Sequence, residues 1–257
     1  MKSSGPLHRL EAEDNVRSLM RPTRRAFLGA TLGLAAAAAD RPAAAELGPG
    51  AHPLGLDHER DGLLYLPSGY TAGVPMPLLV LFHGAGGTAQ SVFYAFPMAD
   101  THGVIILAPD SRDQRSWDIV VGGYGPDADF LSTALAQTFA RCAVDRARLA
   151  VGGHSDGASY ALSFGIGAGH RFDHVLAFSP GVLAPVDVQG KPRIFISHGT
   201  DDRVMPIDDT SRRFVPRLRG LGYDVTYREY AGRHAVPDGV VSEAFAWAYG
   251  APAAPLR

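Results

Sequence analysis

Apolar residues along the chain gather into short dense runs, separated by longer stretches in which apolar and polar positions mix. The runs cover residues 63–66, 78–82, 104–107, 149–152, 175–178, 193–196 and 225–230, and each is followed within three residues by Gly or Pro. Runs this short, rich in Leu, Ile, Val and aromatics, read as strands, and their near-continuous apolar character predicts strands covered on both faces. The intervening segments 129–142, 158–165, 211–221 and 240–249 are long enough and suitably composed for helices. Strand and helix alternating in this way predict an α/β fold, with a mostly parallel central sheet carrying helices on both faces. No internal repeat is present.

The chain has 257 residues and is 46% hydrophobic, enough for one sizeable core, so a single catalytic domain over 46–257 is expected. The formal net charge is only −2, and no bulk field would draw the protein to nucleic acid or to an anionic membrane. Cys142 is the sole cysteine, which rules out an internal disulfide framework and a cysteine-rich zinc site. Stability then rests on packing, and no cofactor is expected.

Residues 1–45 read as an N-terminal extension and an address. Thr23-Arg24-Arg25-Ala26-Phe27-Leu28-Gly29 sets paired arginines before a modest apolar run, 30–39, that ends in alanine-rich sequence. This resembles a bacterial twin-arginine (Tat) export signal, and implies a periplasmic or secreted product. The apolar run is shorter than a membrane span and is interrupted by Asp40, Arg41 and Pro42, so no stable membrane anchor is expected. Residues 1–19 are polar and charged ahead of the signal, and Met20 is the expected start.

In parallel α/β sheets, ligands bind beyond the carboxyl ends of the strands. Gly153-His154-Ser155-Asp156-Gly157 lies at such an end and fits G-x-S-x-G. In that turn, glycines two residues either side let a sharp bend present the serine hydroxyl. A hydroxyl is a weak nucleophile near neutral pH, so Ser155 needs a histidine to take its proton and a carboxylate to orient that histidine. After the 193–196 run comes His198-Gly199-Thr200-Asp201-Asp202-Arg203-Val204-Met205-Pro206. There the spacing favours Asp202 as the acid over its neighbour Asp201. Ala231-Gly232-Arg233-His234-Ala235 follows the last strand and makes His234 the candidate base. His83-Gly84-Ala85-Gly86-Gly87 follows the 78–82 run, where acyl transfer needs backbone N–H groups aimed at an oxyanion.

Four signals in this order, each at a strand end, resemble the α/β-hydrolase superfamily over roughly residues 63–249. Within it the chain is similar to secreted esterases of the polyhydroxybutyrate-depolymerase, feruloyl-esterase and phospholipase/carboxylesterase kind. The resemblance implies a serine esterase with Ser155, Asp202 and His234 as triad. It also implies an oxyanion hole from the N–H groups of Ala85, ahead of Gly86, and of Asp156, the residue after the nucleophile. His83 is expected to hold its loop, and His154 and His198 to lie beside the site with no proton-transfer role. The single cysteine departs from those members that carry disulfides.

Only about ten residues separate the 175–178 and 193–196 runs beyond Pro180, too few for a cap domain, which predicts an open groove suited to small or polymeric esters. Phe93, Trp117 and Tyr124 are candidates for a binding surface. Asp113, Asp118, Asp127 and Asp129 match no EF-hand spacing and read as solvated loop carboxylates rather than a metal site. Thioester, peptide or lactone substrates would use the same triad, and a non-catalytic binding protein on this fold is the remaining reading.

Overall fold

In the computed structural model, residues 47–118, 125–185 and 188–251 are described. Contacts divide the chain into residues 1–42 and 43–257, and all described residues fall in the second unit. The paired-arginine segment and Tyr124 lie outside the described residues.

Eight strands form one sheet in the order β1-β2-β4-β3-β5-β6-β7-β8. The strands are β1 (Gly50–Pro53), β2 (Gly62–Leu66), β3 (Met76–Phe82), β4 (Ile105–Pro109), β5 (Val144–His154), β6 (His174–Phe178), β7 (Arg193–Gly199) and β8 (Val225–Tyr230). β1 pairs antiparallel with β2, and β2 with β4. From β4 through β3, β5, β6 and β7 to β8 every pairing is parallel. The seven sequence-predicted strands are thus β2 to β8. β1 went unread because its sequence, Gly-Ala-His-Pro, has no apolar run.

Parallel strands need crossover connections that cover the faces of the sheet. A 3-10 helix (Ala89–Ala95) runs into α1 (Phe96–His102), and α2 (Pro126–Arg141), α3 (Asp156–Gly167), α4 (Ser211–Gly220) and α5 (Asp238–Tyr249) follow. Successive residues of a strand face opposite sides, so β3 feeds two cores. Leu78, Val80 and Phe82 pack on one side with Trp117, Tyr160 and Ile166. Leu79 and Leu81 pack on the other with Phe178, Phe195 and Phe245. α3 is buried at ten of its residues and lies close on the sheet. A Cβ on Gly165 would come within 2.6 Å of the Val175 side chain.

At the β8 edge, ion pairs tie the outer strand to the flanking helices. Arg212 of α4 meets Glu229 at 2.6 Å, and Arg228 pairs with Glu243 of α5. Between β6 and β7 the described residues hold no helix, in keeping with a fold that carries no cap.

Candidate active site

β5 ends in Gly152-Gly153-His154 and turns at Ser155 directly into α3. The turn is tight because the end of β3 crosses it. A Cβ on Gly157 would lie 2.3 Å from the Phe82 carbonyl oxygen, and one on Gly153 would lie 2.4 Å from the Gly157 backbone. Ser155 itself has φ 59 and ψ −119, a conformation an L-residue adopts only when its surroundings enforce it. Its amide donates to the Phe178 carbonyl of β6 at 2.9 Å, and its carbonyl accepts from the Ser159 amide at 3.0 Å. Strand and helix thereby hold the serine from both sides.

The loops after β7 and β8 meet through backbone bonds, Asp201 N–H to the Gly232 carbonyl at 2.8 Å and Thr200 N–H to the Tyr230 carbonyl at 2.9 Å. This contact brings Asp202 and His234 together, with His234 Nδ1 donating to Asp202 Oδ2 at 2.6 Å. The other carboxylate oxygen of Asp202 accepts the amides of Val204 and Met205 at 2.9 and 2.8 Å. Burial alone would raise the pKa of Asp202, but the Met205 amide, the His234 ring and the Val204 amide hold it below the usual carboxylate value. Asp201 is exposed. His234 Nε2 has no hydrogen-bond partner among the described residues.

Asp202 has a second imidazole partner. His198 Nε2 lies 3.2 Å from the same Oδ2 and 2.8 Å from the Met205 carbonyl. Both neighbours are acceptors, so this nitrogen carries the hydrogen. Burial lowers the pKa of His198, and its neutral Nδ1 accepts from the Ser211 hydroxyl at 2.7 Å. The sequence placed His198 beside the site but carried no sign of this bond. The His154 ring lies 4.7 Å from that of His234, the two planes tilted by 38°. Burial, and then the neighbouring His234, push its pKa down to about 4.

The loop after β3 is held from below. His83 Nε2 accepts the Ser111 amide at 3.0 Å, which places the ring hydrogen on Nδ1, where it donates to the Gly84 carbonyl at 2.8 Å. Arg60 donates to the Gly87 carbonyl at 3.0 Å and the Ser111 hydroxyl at 3.2 Å, a support that nothing in the sequence signalled. Within the loop, the amide of Gly86 is used by the Arg115 carbonyl and that of Gly87 by the Gly84 carbonyl. Ala85 and Asp156 spend their amides on none of these bonds. The Asp156 side chain has a task of its own: it is buried and accepts the Ser116 hydroxyl at 2.9 Å and the Trp117 amide at 3.1 Å.

Two expectations are corrected. Trp117 is only 1% exposed, packs edge-on against Phe82 and donates from Nε1 to the His83 carbonyl at 2.9 Å, so it belongs to the core and not to a binding surface. Phe93 is 45% exposed. Asp127 is not a solvated carboxylate but a buried one that accepts the amides of Arg112 and Asp118. Asp118 in turn accepts those of Gly125 and Asp127. These two carboxylates organise the loop, whereas Asp113 and Asp129 are exposed.

A serine on a strained strand-to-helix turn, with an Asp-His pair on the last two strand-end loops of a mostly parallel sheet, defines an α/β-hydrolase fold. Residues 55–204 match the Esterase family, described as "Putative esterase". The chain belongs to that family of ester hydrolases. Acyl-protein thioesterase 1 of Gibberella zeae is 28% identical over 102 residues, 35% of this chain, and the match spans 43% of the length of that curated relative. Among solved structures, esterase PE8 superposes with a TM-score of 0.61 at 21% identity, covering 74% of this chain and 98% of that one. S-formylglutathione hydrolase from Staphylococcus aureus gives 0.63 at 15% identity, with 79% and 98% covered. A ferulic acid esterase from Anaeromyces mucronatus gives 0.61 at 16%, with 82% and 94% covered. At these identities the likeness is one of fold.

Proposed function

We propose that the chain hydrolyses carboxylic esters through an acyl-enzyme on Ser155, and the observation that carries this is the 2.6 Å bond between His234 Nδ1 and Asp202 Oδ2. Ser155 Oγ attacks the ester carbonyl carbon while His234 Nε2 takes its proton. Asp202 keeps the ring in the required tautomer and stabilises the imidazolium that results. The carbonyl oxygen becomes an oxyanion bound by the N–H groups of Ala85 and Asp156, the latter at the start of α3, where the helix dipole adds positive potential. Collapse breaks the bond to the alcohol oxygen, which leaves with the proton from His234. A water, deprotonated by His234, then releases the carboxylic acid and restores Ser155. The test is turnover of p-nitrophenyl acetate and butyrate beside Ser155→Ala, which should lower kcat by on the order of 10⁵ or more, because triad members act as a unit. A wild type inert toward both esters overturns the reading.

The thioesterase and S-formylglutathione hydrolase named above favour a second substrate class, thioesters, for the same residues. A parallel assay with an acyl thioester of matched chain length separates the two, since each class would show the higher kcat/KM for its own leaving group.

The motif around Arg24 and Arg25 supports export by the twin-arginine route to the periplasm or beyond. N-terminal sequencing of the product from a bacterial host tests this: cleavage near Ala39 or Ala45 fits, and an intact N-terminus does not.

A further inference from the structure

A net charge of −2 is a sum over the whole surface, and the structure distributes it unevenly. The site lies at the carboxyl ends of β5, β7 and β8. The opposite end of the sheet is built from the segments that enter β6, β7 and β8, and these are joined. Gly169 and Gly190 form a bridge, the Arg193 amide donates to the Asp173 carbonyl, and the Ile194 amide donates to the Asp224 carbonyl. Lys191 Nζ donates to the Leu221 carbonyl, and Arg219 donates to the Val225 carbonyl at 2.9 Å.

Among the described residues of this joined surface, Arg171, Lys191, Arg193, Arg217 and Arg219 are all exposed, against two acidic residues, Asp173 and Asp224. Asp224 is already paired with Arg193 at 2.9 Å. Local sign therefore opposes that of the chain as a whole. The same segments carry two exposed aliphatic side chains, Val188 at 59% and Leu221 at 53% exposure. Exposed aliphatics on segments rich in Lys and Arg are the pattern of a surface that rests on anionic lipid, where the cations meet headgroups and the apolar tips enter the interfacial layer. A soluble polyanion would use the cations and leave the aliphatics idle.

We infer that this end of the molecule is a peripheral docking surface for anionic phospholipid. The β7 strand has seven residues, so roughly 20 Å of sheet separates the docked face from the catalytic end. Docking would leave the site facing the aqueous phase, open to soluble esters. This contact is peripheral and reversible, unlike a spanning helix, and no helix among the described residues is long and apolar enough to cross a membrane.

The experiment is co-flotation of the full chain with vesicles of phosphatidylcholine alone and of phosphatidylcholine with phosphatidylglycerol at three to one. We expect capture by the anionic vesicles only, reversed by 0.5 M salt. We also expect capture to weaken by more than about tenfold in the combined variant Arg171→Glu, Lys191→Glu, Arg219→Glu. Leu221→Ser, which keeps every charge, should weaken capture of the anionic vesicles at low salt. Circular dichroism and turnover of a soluble ester monitor folding, and since capture is read without turnover, it stands or falls separately from the proposed chemistry. Equal capture by both vesicle types overturns the inference, as does undiminished capture of the charge-reversed variant. So does retention on heparin with no capture by either vesicle type, which would mark a surface for anionic macromolecules instead.

Discussion

At the scale of single residues, the site is a chain of imidazoles around one carboxylate. His198 touches no reacting atom; it positions Asp202, and through Asp202 the base. His198→Ala removes one donor to Asp202 and orphans the Ser211 hydroxyl, a loss of about 1.5 kcal/mol if a single buried bond is at stake. Spent on orientation, that lowers kcat about tenfold with little change in KM. Steady-state kinetics on a soluble ester check this, since a fall confined to kcat separates lost positioning from lost substrate binding. His154 bears on stability. Its folded pKa of about 4 lies below the ordinary value of about 6.5, so the unfolded chain binds its proton first. The stabilisation is complete above pH 6.5 and is lost as pH falls toward 4, amounting to roughly 3 kcal/mol below both values. Urea unfolding at pH 7 and pH 4.5 should show a smaller drop for His154→Asn than for the wild type. Both histidines stand in motifs the sequence displays; His154 meets His234 from a distant segment, and His198 meets Asp202 and Met205 only because the loop they share folds back on itself, which spacing along the chain does not record.

Among the elements, β5 and α3 carry the most information per residue. Gly157→Ala would drive a methyl group to 2.3 Å from the Phe82 carbonyl, and backbone cannot yield there as a flexible side chain would. We expect a lower denaturation midpoint, with a loss of at least about 2 kcal/mol, and ester turnover near background. Gly239→Ala, in open space on α5, serves as the control and should be close to neutral. This junction was legible in advance because strand, turn and helix are consecutive in the chain and glycine spacing records their crossing. Seven of eight strands were legible for the same local reason: buried parallel strands are dense apolar runs. β1 was not, since an edge strand paired on one side needs little apolar sequence. Arg60 and the buried carboxylate of Asp127 were also hidden, because a charged side chain in a loop looks solvated until its partners, here the Gly87 carbonyl and the Arg112 amide, are seen.

At the scale of the whole molecule, charge separates what the sequence presents as nearly balanced. The catalytic end and the basic end sit at opposite termini of parallel strands, an arrangement that a summed charge conceals. The sheet is also open rather than closed into a barrel, so its last strand exposes unpaired backbone donors and acceptors to any similar edge. Arg228 and Glu229 stand on that strand, each held by a partner on a neighbouring helix, and they place full charges where a second strand would have to approach. These ion pairs contribute little to folding at such exposure; their effect is on solubility. Replacing both arginines and both acids with Gln and Val should leave the melting temperature almost unchanged while making the protein scatter light at concentrations the wild type tolerates. The charges at β8 therefore guard the protein against its own copies, keeping a fold built for strand pairing from continuing that pairing into an aggregate.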